Sequence, residues 1–157
     1  MAKKQEMHEG TYRLRKVKIL AGKKTKETIH LENGVQINVP WPAPEELEHF
    51  QRYGDWGRVV LQVGPKMLAD YHHTVVAELI DREYRGLITD VLIDVSAGKG
   101  VPIDSGRARE MVEAMRAWNP DLGIGIAGRL CAKTLPGVAD LVREYGLSTD
   151  TETAVRN

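Results

Sequence analysis

From residue 34 onward one unit recurs along the chain: a short apolar run, a loop, then a longer segment with apolar residues at three- and four-residue spacing. Short apolar runs followed by helical periodicity read as strand and then helix. Strands that alternate with helices of ten or more residues pair in parallel, because neighbouring parallel strands need a long crossover. This recurrence places residues 34–157 in the α/β class.

The first unit is Val35-Gln36-Ile37-Asn38-Val39, a loop with Pro40, Pro42 and Pro44, and a helix expected over Glu45–Tyr53. Pro44 suits a first helical turn, where a missing N–H has no intrahelical partner to lose. The second is Val59–Val63, followed by one long helix expected from Pro65 to Tyr84 with a buried stripe of Leu68, Tyr71, Val75, Val76, Leu79 and Ile80. The third strand, Asp90–Val95, leads to a helix over Ser105–Trp118. Ala108, Met111, Val112 and Met115 face inward there, and Asp104 or Ser105 caps the first turn. The fourth, Gly123–Ala127, leads to a helix over Pro136–Tyr145 that Gly146 ends in a left-handed conformation. A fifth strand opens at Leu147, with no helix expected after it.

The two faces of these strands differ. One set is apolar: Val35, Ile37, Val39; Val59, Leu61, Val63; Val91, Ile93, Val95; Ile124, Ile126. The other mixes polar, small and apolar residues: Gln36, Asn38; Val60, Gln62; Leu92, Asp94, Ser96; Gly125, Ala127. A sheet covered by helices on both faces would be mostly apolar on both. A barrel with helices outside and a polar site at its mouth predicts the observed split. The expectation is a partial TIM-type (βα) barrel of about five parallel βα units at residues 34–157, behind an irregular basic segment at 1–33. Within that segment, Tyr12, Leu14, Val17, Ile19 and Leu20 and then Thr28–Leu31 suggest a hairpin turning at Gly22-Lys23-Lys24.

A chain of 157 residues buries roughly two-thirds of its unfolded surface, enough for one domain with a sizeable core. Its single cysteine, Cys131, excludes an intramolecular disulfide and suits a reducing compartment. No apolar run approaches the ~20 residues of a membrane span, and the first ten residues lack a signal-type core, so a cytoplasmic protein is expected. The formal net charge of zero conceals an asymmetry: residues 1–26 carry nine Lys/Arg against Glu6 and Glu9. Such an arm can bind anions. With Tyr12 as its one aromatic it has no stacking platform, which argues against single-stranded nucleic acid as a partner.

The segment richest in chemistry is Ile93-Asp94-Val95-Ser96-Ala97-Gly98-Lys99-Gly100. A carboxylate at a strand end followed by a glycine loop lies where parallel-strand folds put their chemistry. Glycines let backbone N–H groups approach a phosphate, and Lys99 adds positive charge. It is not a Walker A loop, which needs four residues between its first glycine and the Gly-Lys pair. Alone, the segment reads almost equally well as a plain turn with Asp94 as a structural acceptor.

Read with its neighbours, this segment resembles the last third of phosphoribosylanthranilate isomerase-like (βα)8 barrels. Leu92-Ile93-Asp94 with Gly98-Lys99-Gly100 is similar to that family's sixth strand and glycine loop, and Ala127-Gly128-Arg129-Leu130 to the end of its seventh strand. Leu147-Ser148-Thr149-Asp150-Thr151-Glu152 resembles its eighth more faintly. The resemblance covers residues 90–152 and implies a phosphorylated small molecule held by Gly98, Lys99, Gly100, Gly128, Arg129 and Ser148. It further implies Asp94 as the acid of an Amadori-type aldose–ketose isomerisation, with Asn38, Gln62, Ser96 and Asp150 as other polar residues of the lumen. No cofactor and no metal are expected. The sequence departs from the family in three ways: residues 1–34 supply no first-strand cysteine for the base, Arg129 stands where the phosphate loop has glycine, and Thr149 and Thr151 flank Asp150 where a glycine is expected.

Of the remaining candidates, His72-His73 is expected inside a helix, where adjacent side chains diverge by about 100° and cannot chelate one metal. Cys131 reads as an inert small residue, and Trp41, Trp56 and Trp118 as packing residues. The alternative to an isomerase is a non-catalytic structural or interaction protein, a truncated or split barrel completed by a homo-oligomer or a complementary fragment.

Overall fold

The computed structural model describes residues 17–20, 34–38, 41–52, 57–95 and 103–150. These hold β1 (Val17–Leu20), β2 (Gly34–Ile37), α1 (Pro44–Gln51), β3 (Arg58–Val63), α2 (Pro65–Asp70), α3 (His73–Tyr84), β4 (Asp90–Asp94), α4 (Ser105–Trp118), β5 (Gly123–Ala127), a 3-10 turn (Leu135–Val138), α5 (Ala139–Tyr145) and β6 (Ser148–Asp150). One sheet contains all six strands in sequence order, β1-β2-β3-β4-β5-β6. Strands β2 to β6 are parallel, and β1 lies antiparallel against β2.

Right-handed crossovers repeated in one direction put every helix on the same face of such a sheet. The side chains obey this. Val35, Ile37, Leu61, Val63, Val91, Ile93, Ile124 and Ile126 share one core with Leu47 and Phe50 of α1, Val76 and Ile80 of α3, Met111, Val112 and Met115 of α4, and Leu141 of α5. Each such side chain removed from water contributes about 1.5–3 kcal/mol. On the opposite face Val60, Leu92 and Ala127 form a small separate cluster with no helix residue in it. The buried polar side chains of the described residues, Gln36, Gln62 and Asp94, occupy alternate positions of that same face.

Local chemistry sets the element boundaries. Pro44 opens α1, and the Glu46 carboxylate returns to the Ala43 N–H. Asp104 caps α4 by accepting from the Arg107 N–H at 2.8 Å. Gly146 ends α5 in the left-handed region at φ 62°.

Three sequence expectations change. The helix expected over Pro65–Tyr84 is two helices, because Tyr71 (φ −129°, ψ 146°) and His72 (φ −67°, ψ 146°) are extended. Two extended residues reset the helical phase, so Val76, Ala77, Ile80 and Tyr84 turn inward while Tyr71 and Val75 are 55% and 48% exposed. Val17–Leu20 pairs antiparallel with Gly34–Ile37, a partner not expected from the sequence, while Thr28–Leu31 and the turn of the expected hairpin lie outside the described residues. Trp118 is 45% exposed rather than packed, and Trp56 also lies outside the described residues.

The amino ends of β3 and β4 are tied by an ion pair. Arg58 donates through Nε and Nη2 to both oxygens of Asp90, and the Thr89 hydroxyl donates to the same carboxylate. Burial alone raises this carboxyl, but the Arg58 and Thr89 hydrogen bonds and the Arg58 charge outweigh it, so Asp90 ionises below its ordinary value of 3.8. Its stabilisation is therefore complete above that value and is lost as pH falls through the lower folded-state value. Gly123 on β5 completes the site, since a Cβ there would lie 2.0 Å from Asp90 Oδ1. Gly123→Ala should cost about 1–3 kcal/mol by urea denaturation. Most of that loss should vanish in an Asp90→Ser background, where the clash is gone. Wild type and Asp90→Asn should differ in stability at neutral pH and converge on acidification.

Candidate functional site at the carboxyl ends of the strands

The face without helices carries its polar residues toward the carboxyl ends of the strands, where parallel sheets place binding sites. Asn38 directly follows β2, Gln62 is the penultimate residue of β3, and Asp94 ends β4. Strand register aligns Asp94 with Ala127 of β5, and Ala127 with Asp150 of β6. Gly128 and Arg129 follow β5 immediately, one step beyond that row.

Two side-chain pairs engage the nitrogens of the buried amides. Gln62 donates Nε2–H to Asp94 Oδ2 at 2.6 Å, both residues being buried. Gln36 donates Nε2–H to Asn38 Oδ1 at 3.0 Å. An uncompensated buried polar group costs about 1–3 kcal/mol, so each pair removes a penalty that either residue alone would carry. The neighbouring loop is pinned to the same place. The Trp41 indole N–H donates to the Gln62 backbone carbonyl at 2.7 Å, and its ring meets Tyr84 edge-on at 5.5 Å. Tyr84 in turn donates its hydroxyl to the Pro42 carbonyl at 2.7 Å. Burial first, and then Glu83, Glu45 and Glu46, push the Tyr84 phenol up to about 12, so it remains a donor across the physiological range.

Arg129 is the one non-glycine residue with positive φ among the described residues, at 47°, and follows Gly128 at φ 140°. Its carbonyl accepts from the Thr134 hydroxyl, which also accepts from the Cys131 N–H at 3.0 Å. Thr134 therefore clamps the loop from both sides. A left-handed residue with a Cβ costs roughly 1–2 kcal/mol, so the loop holds Arg129 in a conformation glycine would adopt freely. Its side chain is exposed. The Cys131 thiol, on the same loop, is drawn below its ordinary value first by Thr134, then by the Lys133 and Thr134 backbone and the Arg129 charge.

The sequence-predicted residues are thus distributed unevenly. Asn38, Gln62, Asp94, Gly128 and Arg129 gather at the strand ends. Ser148 lies lower, in register with Gly125, two residues beneath the Asp94–Ala127 row. Asp150 is level with that row by backbone register. Ser96, Gly98, Lys99 and Gly100 lie outside the described residues. Gln36 and Trp41 are the residues that sequence reasoning missed as parts of the mouth. Gln36 had a signal, its alternation with Asn38; Trp41 had none, since its role depends on an indole reaching another strand.

His72-His73 corrects its expectation as well. The extended break brings the imidazole centroids to 3.8 Å, and His73 Nδ1 lies 3.6 Å from Glu110. Even so, no group of three or more His, Cys, Asp or Glu among the described residues is arranged to hold a metal. A cavity of about 610 Å³ beside this pair, floored by Ile93 and Met111, opens on the helix side and is separate from the mouth. No helix among the described residues is long and apolar enough to cross a membrane.

In comparisons with known proteins, no family model, no curated protein and no solved structure matches the chain.

Replacing Arg129 by glycine should relieve the left-handed backbone and raise stability by about 0.5–1.5 kcal/mol, read from the urea midpoint. An unchanged or lowered midpoint would mean that the side chain contributes more to the loop than its backbone costs.

Proposed function

We propose that this chain is a (βα)-barrel segment whose strand-end mouth binds a phosphorylated small molecule. The observation that carries the reading is Arg129, held left-handed directly after Gly128 at the end of β5, on the strand beside the buried carboxylate of Asp94. A backbone held in a costly conformation at a strand end points to function. The resembling family has glycine at this position, and the loop keeps the glycine-like backbone while adding a guanidinium suited to phosphate. The sequence-ordered sheet, with helix side chains on one face and amides and a carboxylate on the other, supports the barrel.

Asp94 is the residue for acid catalysis if the mouth performs the isomerisation implied by the resemblance. The reaction opens a sugar ring by proton donation and then removes a C2 proton. Gly98, Lys99 and Gly100 extend the proposed anion site from sequence alone, and Ser148 would reach it from below. Titrating inorganic phosphate or ribose 5-phosphate should shift the backbone amides of Gly128 and Arg129 in NMR spectra and slow alkylation of Cys131. Arg129→Ala should weaken binding by roughly tenfold, the loss of one charge-assisted hydrogen bond. Shifts confined to residues 1–26 would transfer anion binding to the basic arm and remove the mouth from consideration.

Self-association is a second reading, favoured by the three-residue strand β6, which pairs only with β5 among the described residues. Strand β1 already covers the opposite side of β2. Exposed strand edges recruit other chains. Sedimentation across a dilution series should show a concentration-dependent dimer. A 17.5 kDa species at every concentration would show that the chain closes its own edges.

A further inference from the structure

We propose that Gln62 is a positioning residue for the Asp94 carboxylate and that its amide carbonyl receives a hydroxyl of the ligand, so that the mouth binds a phosphorylated polyol in one orientation. The inference rests on the phosphate reading of the same mouth. It begins with the observed pairing, in which the Gln62 amide nitrogen donates to Asp94 Oδ2 at 2.6 Å. The amide carbonyl, Oε1, then has no hydrogen-bond partner among the described residues. Nor is it sealed away, since Gln62 Oε1 is not among the fully enclosed side-chain atoms that lack a hydrogen bond. A side chain about nine-tenths buried therefore keeps one acceptor in contact with open space.

Gln62 is held at both ends. Its side chain is tied to Asp94, and its backbone carbonyl receives the Trp41 indole, which is braced by Tyr84 and through it by Pro42. The loop before α1, the helix α3 and the strands β3 and β4 thus meet at one residue. Removing the amide would take away the donor that orients Asp94 Oδ2.

The exposed acceptor also sorts ligands. A carbonyl lone pair beside a carboxylate repels phosphate and carboxylate oxygens and accepts from a hydroxyl. Gln36, with its nitrogen committed to Asn38, is disposed likewise and leaves the Asn38 amide nitrogen as a donor nearby. Amide acceptors and neutral amide N–H donors line this end without positive charge, and Arg129 supplies positive charge at the β5 end. The anionic group of a bifunctional ligand goes to Arg129 and its hydroxyls to Gln62 and Asp94.

Inorganic phosphate, ribose 5-phosphate and unphosphorylated ribitol distinguish the two claims when titrated into labelled protein. Ribose 5-phosphate should shift the Gln62 side-chain N–H resonances, and inorganic phosphate should not. Gln62→Met, which keeps the side-chain length, should lower ribose 5-phosphate affinity about fivefold and leave inorganic phosphate affinity unchanged. It should also shift the Asp94 side-chain carboxyl carbon resonance, which a bulk loss of stability in a folded variant would not do. If Gln62→Met fails to fold, Gln62→Leu and the wild-type Gln62 resonances carry the same test. Equal loss for both phosphates, no loss for either, or unmoved Gln62 resonances would overturn the proposal. Ribitol moving Gln62 while neither phosphate binds would retain Gln62 and discard the phosphate reading; silence from all three probes would discard both.

Discussion

Parallel strands laid down in strict sequence order have one place to put their connecting helices. Each right-handed crossover returns to the sheet on the same side, so one face receives all the apolar helix surface and the other receives none. The rest of the molecule is organised by that asymmetry. The helix face is filled by β-branched and aliphatic side chains from every parallel strand through β5. Among the described residues the opposite face receives no helix side chain in its buried cluster, and there alone does the sheet carry buried amides and a carboxylate. A face that had to receive helices could not hold Gln36, Gln62 and Asp94 without stranding their polar atoms.

The same asymmetry gives the two ends of the sheet different work. At the amino ends, Arg58, Thr89 and Asp90 lock β3 to β4, and Gly123 allows β5 to pass close by. This is structural electrostatics, a partly buried pair with its hydrogen bonds satisfied. At the carboxyl ends the amide carbonyls of Gln36 and Gln62 have no hydrogen-bond partner among the described residues, and the backbone at Arg129 is held in a conformation that costs energy. Stability is concentrated at one end, and unused hydrogen-bonding capacity at the other.

Much of this was legible in residue order because strands and helices have different periods. The strand positions of Val59–Val63 and Gly123–Ala127 followed from apolar runs, and the two faces from alternation. Asp104 and Gly146 act as caps because their chemistry is local. The break at Tyr71–His72 was not legible. Leu68, Tyr71, Val75 and Val76 have helical spacing, and only packing against α4 and β4 shows that the phase must reset. The partner of Val17–Leu20 was equally hidden, since hairpin and edge pairing demand the same strand pattern. At the mouth, Asp94 and Gly128-Arg129 stood out as polar or glycine residues at strand ends. The Trp41–Gln62 and Tyr84–Pro42 hydrogen bonds did not, because they join residues 21 and 42 positions apart.

The polar row also bears on why such a face persists. Buried amides and carboxylates seldom add net stability, and apolar residues of similar volume often replace them without loss. Gln62 and Asp94 together, beside Leu92 and Val60, could be replaced by aliphatic residues that extend the small apolar cluster on that face and strand no polar atom. A purely structural sheet would gain little from the Gln62–Asp94 pair. A mouth that must hold a carboxylate in one orientation needs a donor at Oδ2, and a glutamine on the adjacent strand supplies it without adding charge. Under the proposed binding reading, the network is a stability cost accepted for orientation.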